Sequence, residues 1–531
     1  MTSSEHPPES LPQGSTSPSI TRELAVGSGW MVGAQLAIQL IGLLSTIILA
    51  RLLMPADFGL VALATTILAG LQALSELSFD IALIQNPRAG RPEYDSAWTL
   101  SACRNILIAI GITVAAVPLA SGFDDPRLEA IIYCLAVSAF LDGFQNIGIV
   151  DFRKELRFHQ DLIFRVLGKL GPFVVTISLA FLWQNYWALV IGTVAGSLFR
   201  LILSFAMHSY RPRVSFTEWR GLLHFSKWLM LANLCIFISS RAITFIISAI
   251  SGAGALGIFL ISTEIACQIN TNLLAPMRRA LFPGYSKLAT DLGRLQFIFI
   301  DVSALVFLIG TPLTLGIGLV ADPLVKVFLG PKWLEAIPLI QILSIKEFLL
   351  LISSMLGPIY LATGRPRYTM ALQSFNAIVT LPLLVLGTLW DGLMGAAYAT
   401  LIATALGIIF DLYLGLSLLS LSIFTLLAAI WRSLIGGAIM VAAVLALGMY
   451  WQVDSIAGSM LMLITFVMLG AVAYSFGVFL LWVIAGFPRG AEYHLVALLK
   501  GGLESFAQKT RYMSQAARVT PAQSKFPRQS L

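Results

Sequence analysis

The sequence predicts an all-α polytopic membrane protein, and three observations carry this prediction. Of the 531 residues, 57% are hydrophobic and only 11% are charged, with a mean hydropathy of +0.85. Soluble domains carry roughly 25% charged residues, so this composition does not cover a water-exposed surface. The apolar residues form about fourteen runs of membrane-spanning length, and Lys and Arg concentrate in every second connection between them. The formal net charge of +7 follows this alternation and does not indicate nucleic-acid binding.

The predicted spans are runs of about 20 largely apolar residues, the length that crosses the hydrocarbon core as a helix. They cover 28–52, 57–79, 97–120, 129–150, 162–183, 186–207, 226–250, 255–276, 297–320, 337–362, 370–389, 392–416, 425–449 and 458–485. Because this number is even, we expect both termini on the same side of the membrane.

Lys and Arg in the tails and connections indicate which side that is. Twenty-two of them lie on the side of the termini, whereas the opposite side carries only Arg51, Arg127, Lys326 and Lys332. This asymmetry predicts that both termini are cytoplasmic. The longest loop on the opposite side, roughly 321–336, is short, which argues against an enzyme that works outside the membrane.

An internal repeat indicates how the spans are grouped. SGWMVGAQLAIQL at 28–40 and SKWLMLANLCIFI at 226–238 share a Ser-x-Trp start, and Gly59 and Gly257 follow at the same distance. The offset of 198 residues covers an even number of spans, so both copies run in the same direction. We expect two six-helix lobes related by a pseudo-two-fold axis. The predicted parts are a disordered tail (1–24), an N-terminal lobe (25–210), a C-terminal lobe (220–418), two further helices (422–486) and a basic tail (487–531).

Three stretches resemble bacterial polysaccharide-export flippases. They are ILARLLMPADFGLVALATTI in the first hairpin, VDFRKELRF after the fourth segment and LATGRPRYTMAL after the tenth. These flippases are Wzx-type members of the multidrug/oligosaccharidyl-lipid/polysaccharide superfamily, and the likeness is greatest to the exopolysaccharide branch that includes colanic acid. It covers about residues 22–490 and implies two six-helix lobes plus two helices.

The resemblance also implies a function and a location. The expected substrate is an undecaprenyl-diphosphate-linked oligosaccharide, moved from the cytoplasmic to the periplasmic leaflet of the bacterial inner membrane for O-antigen or exopolysaccharide synthesis. A polysaccharide polymerase or assembly proteins are further expected partners beside the lipid bilayer. No enzyme motif, cofactor or metal site is found, and the expected ion requirement is coupling to H⁺ or Na⁺.

Charged residues inside the membrane are costly unless paired or hydrated, so each is a candidate site. Arg241 in the seventh segment and Glu264 in the eighth lie at equal depth, ~13 Å below the outer surface, which favours an ion pair. The pair either clasps the hairpin or binds the diphosphate through Arg241 and a coupling ion through Glu264. Lys346 and Glu347 in the tenth segment are candidates for the same two tasks. Arg241 is the leading diphosphate candidate, because Arg binds phosphate bidentately.

Polar stripes complete the candidate set for a hydrated cavity that accepts sugar hydroxyls. The stripes comprise Gln35 and Gln39 on the first segment and Asp142, Gln145 and Asn146 on one face of the fourth. Hydrogen bonding between helices is the alternative role for these side chains. Asp142 is also a candidate for ion coupling, and Arg104 near a cytoplasmic end is a candidate for attracting the anionic substrate. In the first hairpin, Arg51 and Asp57 are interpreted as local helix-end residues.

The sequence leaves three alternatives open. The first is a cation-coupled exporter of small molecules of the multidrug type, which shares the fold. The second is a membrane glycan polymerase or ligase, against which the short outer loops argue. The third is a scaffold within an assembly complex that transports nothing itself.

Overall fold

The computed structural model describes residues 35, 37–75, 83, 89–155, 157–217, 219–451, 455–488 and 490–493. The helices of the first half are α1 Ala37–Leu52, α2 Pro55–Ser75, α3 Arg91–Gly122, α4 Arg127–Gly143, α5 Asp151–Lys154, α6 Phe158–Trp183, α7 Trp187–Met207 and α8 Trp219–Ala266. Those of the second half are α9 Ala275–Lys287, α10 Leu292–Leu319, α11 Ala321–Leu324, α12 Ala336–Leu350, α13 Leu356–Ala362, α14 Pro366–Leu419, α15 Ile423–Tyr450 and α16 Ile456–Ile484. Within these ranges the fold is all-α, as predicted. The predicted tail 1–24 and nearly all of 487–531 lie outside the described residues.

Nine helices in the described part of the chain are long and apolar enough to cross a membrane, or ten if α4 and the segment after it form one bent span. The predicted number of fourteen stays a prediction. Two long helices are interrupted where the sequence predicts turns. Gly252 breaks α8 with a φ of 82°, and Gly392 breaks α14 with a φ of 51°. Glycine adopts these positive angles without the steric cost that other residues have.

The fourth predicted segment, 129–150, is wrong at its end. Helix α4 stops at Gly143, and the chain continues at an angle of 69° through the 3-10 turn Ile147–Val150. The side chain of Asn146 accepts the N–H of Gly148 at 2.9 Å and starts that turn. Asp142, Gln145 and Asn146 therefore do not share one helix face. Hydropathy does not detect this break, because the residues after it are again apolar.

Local signals explain several other helix ends. Asp291 and Ser455 each accept the N–H three residues later and so cap α10 and α16. Asp57 accepts the N–H of Met54 at 2.9 Å and closes the first turn of α2. The interpretation of Asp57 as a helix-end residue is therefore consistent with its hydrogen bond.

The chain forms two compact units, Met1–Ile258 and Phe259–Leu531. In the first unit, α3 packs on α4, α6 packs on α7, and α4 also contacts α7. In the second, α10 packs on α12, α15 and α16, and α12 packs on α14. The predicted lobes, 25–210 and 220–418, divide the chain at a different place and stay a prediction.

Two glycines of the first unit allow α2 and the last part of α8 to touch. A Cβ on Gly59 would overlap the carbonyl oxygen of Ala253, and a Cβ on Gly257 would overlap that of Pro55. Gly59 and Gly257 are 198 residues apart, and so are Pro55 and Ala253. The contact is therefore reciprocal, as it is across a two-fold axis. This symmetry supports the predicted repeat and explains why both copies carry glycine there.

Candidate functional site

A buried polar network in the second unit contains two of the predicted residues. Glu347 is only 4% exposed, and its carboxylate lies 3.0 Å from the Nζ of Lys346. The side-chain amide of Asn270 donates to the other carboxylate oxygen at 3.1 Å, and its Oδ1 accepts a hydrogen bond from Arg278 at 3.1 Å. We call Lys346, Glu347, Asn270 and Arg278 the Glu347 network. Its bonds partly compensate the cost of removing a carboxylate from water.

Asn270 takes its place in the network at a π turn. The N–H of Ala275 donates to the carbonyl of Asn270, five residues back, in the π turn Asn270–Leu274 between α8 and α9. Such insertions into a helix often occur at functional sites. Asn270 is not among the predicted site residues, and Arg278 is one of the twenty-two cations that the sequence places on the side of the termini. The Asn and the following Pro276 are the signals that could have marked this site.

Glu264 belongs to a second polar row on the same helical stretch. Gln268 donates to Glu264 at 3.3 Å, and Asn272 donates to Gln268 at 2.6 Å. These residues are four apart and therefore lie on one face of a helix. Glu264 lies in the second unit and Arg241, which is exposed, lies in the first. The predicted pairing of Arg241 with Glu264 stays a prediction.

In the first unit, Asp142 pairs with Arg200, which is not among the predicted site residues. Its carboxylate lies 3.2 Å from Nη2 of Arg200 and accepts the Gln145 amide at 2.8 Å. Arg200 also donates to the hydroxyl of Ser197 at 3.1 Å. Its position well inside the apolar helix α7 was the available signal.

Helices α6 and α7 approach closely beside this ion pair. Gly168 faces the side chain of Arg200, Pro172 faces Gly196, and Thr176 faces Gly192 in antiparallel order. A cavity of about 310 Å³ opens next to this crossing, between α1, α2, α6 and α7. Its polar lining consists of Ser45, Lys169, Thr176, Thr193 and Arg200.

Other predicted residues lie in different surroundings. Asn146 is fully buried, and its amide donates to the carbonyl of Tyr210 at 2.7 Å. Its partners are backbone groups, so the structure places it in the turn rather than on a cavity wall. Gln35 is exposed, and Gln39 and Arg104 are half-buried. The substrate-binding roles predicted for these three residues stay predictions.

The stretch VDFRKELRF is held by a hydrogen-bonded cluster at the ends of α3, α4 and α7. Tyr94 donates to Asp151 at 2.5 Å, and His208 lies 3.5 Å from the same carboxylate. Tyr210 donates to Asp95, also at 2.5 Å. Burial and this hydrogen bond raise the pKa of Tyr210 well above its usual range, so the phenol stays protonated as a donor. A cavity of about 760 Å³ adjoins the cluster.

Charged and polar groups that face cavities between apolar helices are typical of membrane transporters. The fold is similar to that of the lipid II flippase MurJ in an inward-closed conformation, with a TM-score of 0.68, 13% identity, and coverage of 85% of this chain and 98% of that one. It is also similar to an inward-facing multidrug resistance MATE transporter of the MOP superfamily, with a TM-score of 0.57, 16% identity, and coverage of 72% and 94%. The predicted fold class is confirmed.

The chain belongs to the family described as polysaccharide biosynthesis protein, which residues 48–338, more than half of its length, match. The lipopolysaccharide biosynthesis protein WzxC of Escherichia coli is 23% identical over 74% of this chain and 81% of its own length. A membrane protein of the cps region of Klebsiella pneumoniae is 25% identical over 71% of this chain and 79% of its own length. The succinoglycan biosynthesis transport protein ExoT of Rhizobium meliloti is 24% identical over 61% of this chain and 66% of its own length. The resemblance predicted from the sequence is confirmed, and the chain is a multi-pass membrane protein.

Proposed function

We propose that this protein is a flippase that carries an undecaprenyl-diphosphate-linked oligosaccharide from the cytoplasmic to the periplasmic leaflet of the bacterial inner membrane. The observation that carries the proposal is membership of the polysaccharide biosynthesis family together with charged groups held inside the helices of both units. The relatives named for lipopolysaccharide and succinoglycan synthesis and the lipid II flippase fold support a lipid-linked glycan as the substrate.

The physical task is to move many hydroxyl groups through hydrocarbon. Each hydroxyl that loses its hydrogen bonds costs roughly 2–7 kcal/mol, so an unassisted glycan of several sugars does not cross. A polar, hydrated cavity replaces those hydrogen bonds, and cations neutralise the diphosphate. In the proposed mechanism the cavity opens to one side at a time, while the lipid tail stays in the bilayer.

The proposal includes an orientation, a driving force and partners. Both termini are cytoplasmic, as the distribution of Lys and Arg indicates. The carboxylates of Glu264 and Glu347 are the proposed binding groups for a coupling H⁺ or Na⁺, and the side-chain amide N–H groups of Gln268 and Asn270 donate to them and hold them in place. Polymerase and assembly proteins of the same polysaccharide receive the flipped product.

A reconstituted flipping assay tests the proposal. The purified protein is placed in vesicles that carry an undecaprenyl-diphosphate-linked oligosaccharide, and a membrane-impermeant glycosidase is added outside. We expect cleavage to rise above the half of the substrate that already faces outward, because the protein brings the remainder to the outer leaflet. Vesicles without the protein are the control and should show cleavage only of the half that already faces outward.

A small-molecule exporter remains the alternative function, since the MATE transporter shares the fold with a TM-score of 0.57. Vesicles that release organic cations with this protein, yet show no added glycan cleavage, would favour the exporter over the flippase.

A further inference from the structure

Two cations lie deep within the helices of the first unit and face one cavity. Lys169 comes eleven residues after the start of α6, and Arg200 comes seven residues before the end of α7. At 1.5 Å per residue they lie ~16 Å and ~10 Å from helix ends on the same side of the unit. Both line the cavity of about 310 Å³.

Among the side chains that the structure describes, Asp142 neutralises only one of the two cations that line this cavity. Arg200 is paired with Asp142 at 3.2 Å, and Arg165, one turn before Lys169, is paired with Asp161 at 2.7 Å. Lys169 has no carboxylate partner among the side chains that the structure describes. Lys169 is exposed, and an uncompensated charge at this depth along an apolar helix is costly, so the cavity that it lines favours a ligand that brings negative charge.

The lining matches a phosphate group in geometry as well as in charge. The planar guanidinium of Arg200 presents several donors, and the amine of Lys169 acts as a mobile point charge. The hydroxyls come from Ser45, Thr176 and Thr193. Gly168 has no side chain, and the stem of Arg200 passes 3.5 Å from where its Cβ would be. The stem of Arg200 thus runs along α6 at Gly168, beside the cavity.

We propose that this cavity binds the diphosphate of the lipid-linked substrate, with Lys169 and Arg200 as its two cationic contacts. The inference rests on the proposed flippase function and assigns the diphosphate to the first unit. Asp142 holds Arg200 in place and keeps the empty cavity from carrying two unbalanced charges.

Binding of defined probes tests the assignment. The full chain, in nanodiscs of zwitterionic lipid, is titrated with undecaprenyl diphosphate, undecaprenyl monophosphate, phosphatidylglycerol and inorganic pyrophosphate. We expect the prenyl diphosphate to bind tightest. Lys169→Gln should weaken it by about tenfold or more, since a charge-assisted contact is lost. Lys169→Arg should restore it.

The matched control is Arg165→Gln on the same face of α6. It removes the same charge, but Arg165 does not line the cavity, and Asp161 keeps Arg153 as a partner at 3.3 Å. We expect wild-type affinity. The double variant Asp142→Asn/Arg200→Gln removes the pair without leaving one charge alone, and it should weaken binding as Lys169→Gln does. Thermal stability is measured for each variant, so that loss of folding is recognised.

The outcomes separate this inference from the proposed function. If the wild type flips the glycan and folded Lys169→Gln binds the prenyl diphosphate equally well, the cavity assignment is wrong and the flippase stands. If Arg165→Gln weakens binding as much as Lys169→Gln, the effect is general charge and the assignment also fails. Equal affinity for phosphatidylglycerol or pyrophosphate would overturn the lipid-diphosphate assignment. A wild type that neither binds the probe nor flips the glycan would refute the proposed function itself.

Discussion

At the scale of single residues, depth in the membrane does not distinguish a binding group from a structural one, whereas hydrogen-bond partners do. Asn146 and Asn270 are both amides near the ends of apolar segments. Asn146 satisfies backbone groups of its own turn and of Tyr210. Asn270 instead links two charged side chains, Glu347 and Arg278. We therefore expect replacement of Asn146 to lower stability and replacement of Asn270 to impair transport.

Replacing Asn146 with Ala should lower thermal stability without changing affinity for the substrate. The change leaves the buried N–H of Gly148 without its side-chain acceptor, at about 1–3 kcal/mol, whereas the carbonyl of Tyr210 keeps the guanidinium of Arg211 as a donor. Thermal unfolding of the purified protein measures the loss. Gln145→Ala is the matched control, since among the described side chains Gln145 donates to the half-buried Asp142, and its loss should cost less. An unchanged melting temperature combined with weaker substrate binding would contradict this role and favour Asn146 as a substrate-binding residue.

The sequence identified some polar site residues but not their neighbours. Lys346 and Glu347 stand out because two charges interrupt an apolar run. Arg200 and Lys169 also interrupt apolar runs, yet their significance depends on α6 and α7 lying side by side. They line one cavity although they are 31 positions apart in sequence. Hydropathy and spacing within single segments contain no such information, so they do not predict the shared cavity.

At the scale of elements, turns set by glycine were predictable and a turn set by an amide was not. Gly252 and Gly392 break long helices where the apolar runs are interrupted. The end of α4 depends on a side-chain cap from Asn146 within a run that stays apolar. The repeat was visible because Gly59 and Gly257 occupy equivalent positions. The contact between these two glycine positions was not predictable, since an offset in sequence does not show that the two copies touch.

A disulfide across the contact between α2 and α8 should stop transport. A Cβ on Gly254 would lie 4.0 Å from the Cβ of Ala56, a separation that a disulfide spans. Both positions are on the side that the Lys and Arg distribution predicts to be periplasmic. Alternating access requires this side to open, so Ala56→Cys/Gly254→Cys should flip glycan only after reduction. Flipping is measured in vesicles before and after a thiol reductant.

The cross-link experiment uses a chain from which the native cysteines have been removed. These are Cys103, Cys134, Cys235 and Cys267. Each single-cysteine variant serves as a control and should be insensitive to oxidant. Mass spectrometry of the linked peptides verifies the bond. Full flipping activity in the cross-linked protein would show that this contact does not open during transport.

At the scale of the whole molecule, two of the three candidate ion-binding carboxylates, Glu264 and Glu347, belong to a different unit from the proposed diphosphate site, whereas the third, Asp142, pairs with Arg200 at that site. Lys169 and Arg200 lie in Met1–Ile258, whereas Glu264 and Glu347 lie in Phe259–Leu531. Two binding events on separate units are coupled only if both bias the same conformational equilibrium. A transporter driven by an ion gradient needs such coupling, and the expected result is a change in flipping rate when the gradient is removed.

Collapsing the ion gradients tests this coupling, with Glu347 as the main candidate. We expect flipping in vesicles to be faster with an imposed H⁺ or Na⁺ gradient than without one, because ion binding at the Glu347 carboxylate favours one conformation. Glu347→Gln removes the charge that binds the ion, so it should abolish the gradient-dependent part of the rate and retain the rest. Glu129→Gln is the control, since Glu129 accepts only a hydrogen bond from Tyr133 among its described contacts. A wild-type rate that stays constant after the membrane potential and both gradients are collapsed would contradict coupling, and the diphosphate cavity would then work by facilitated exchange between leaflets.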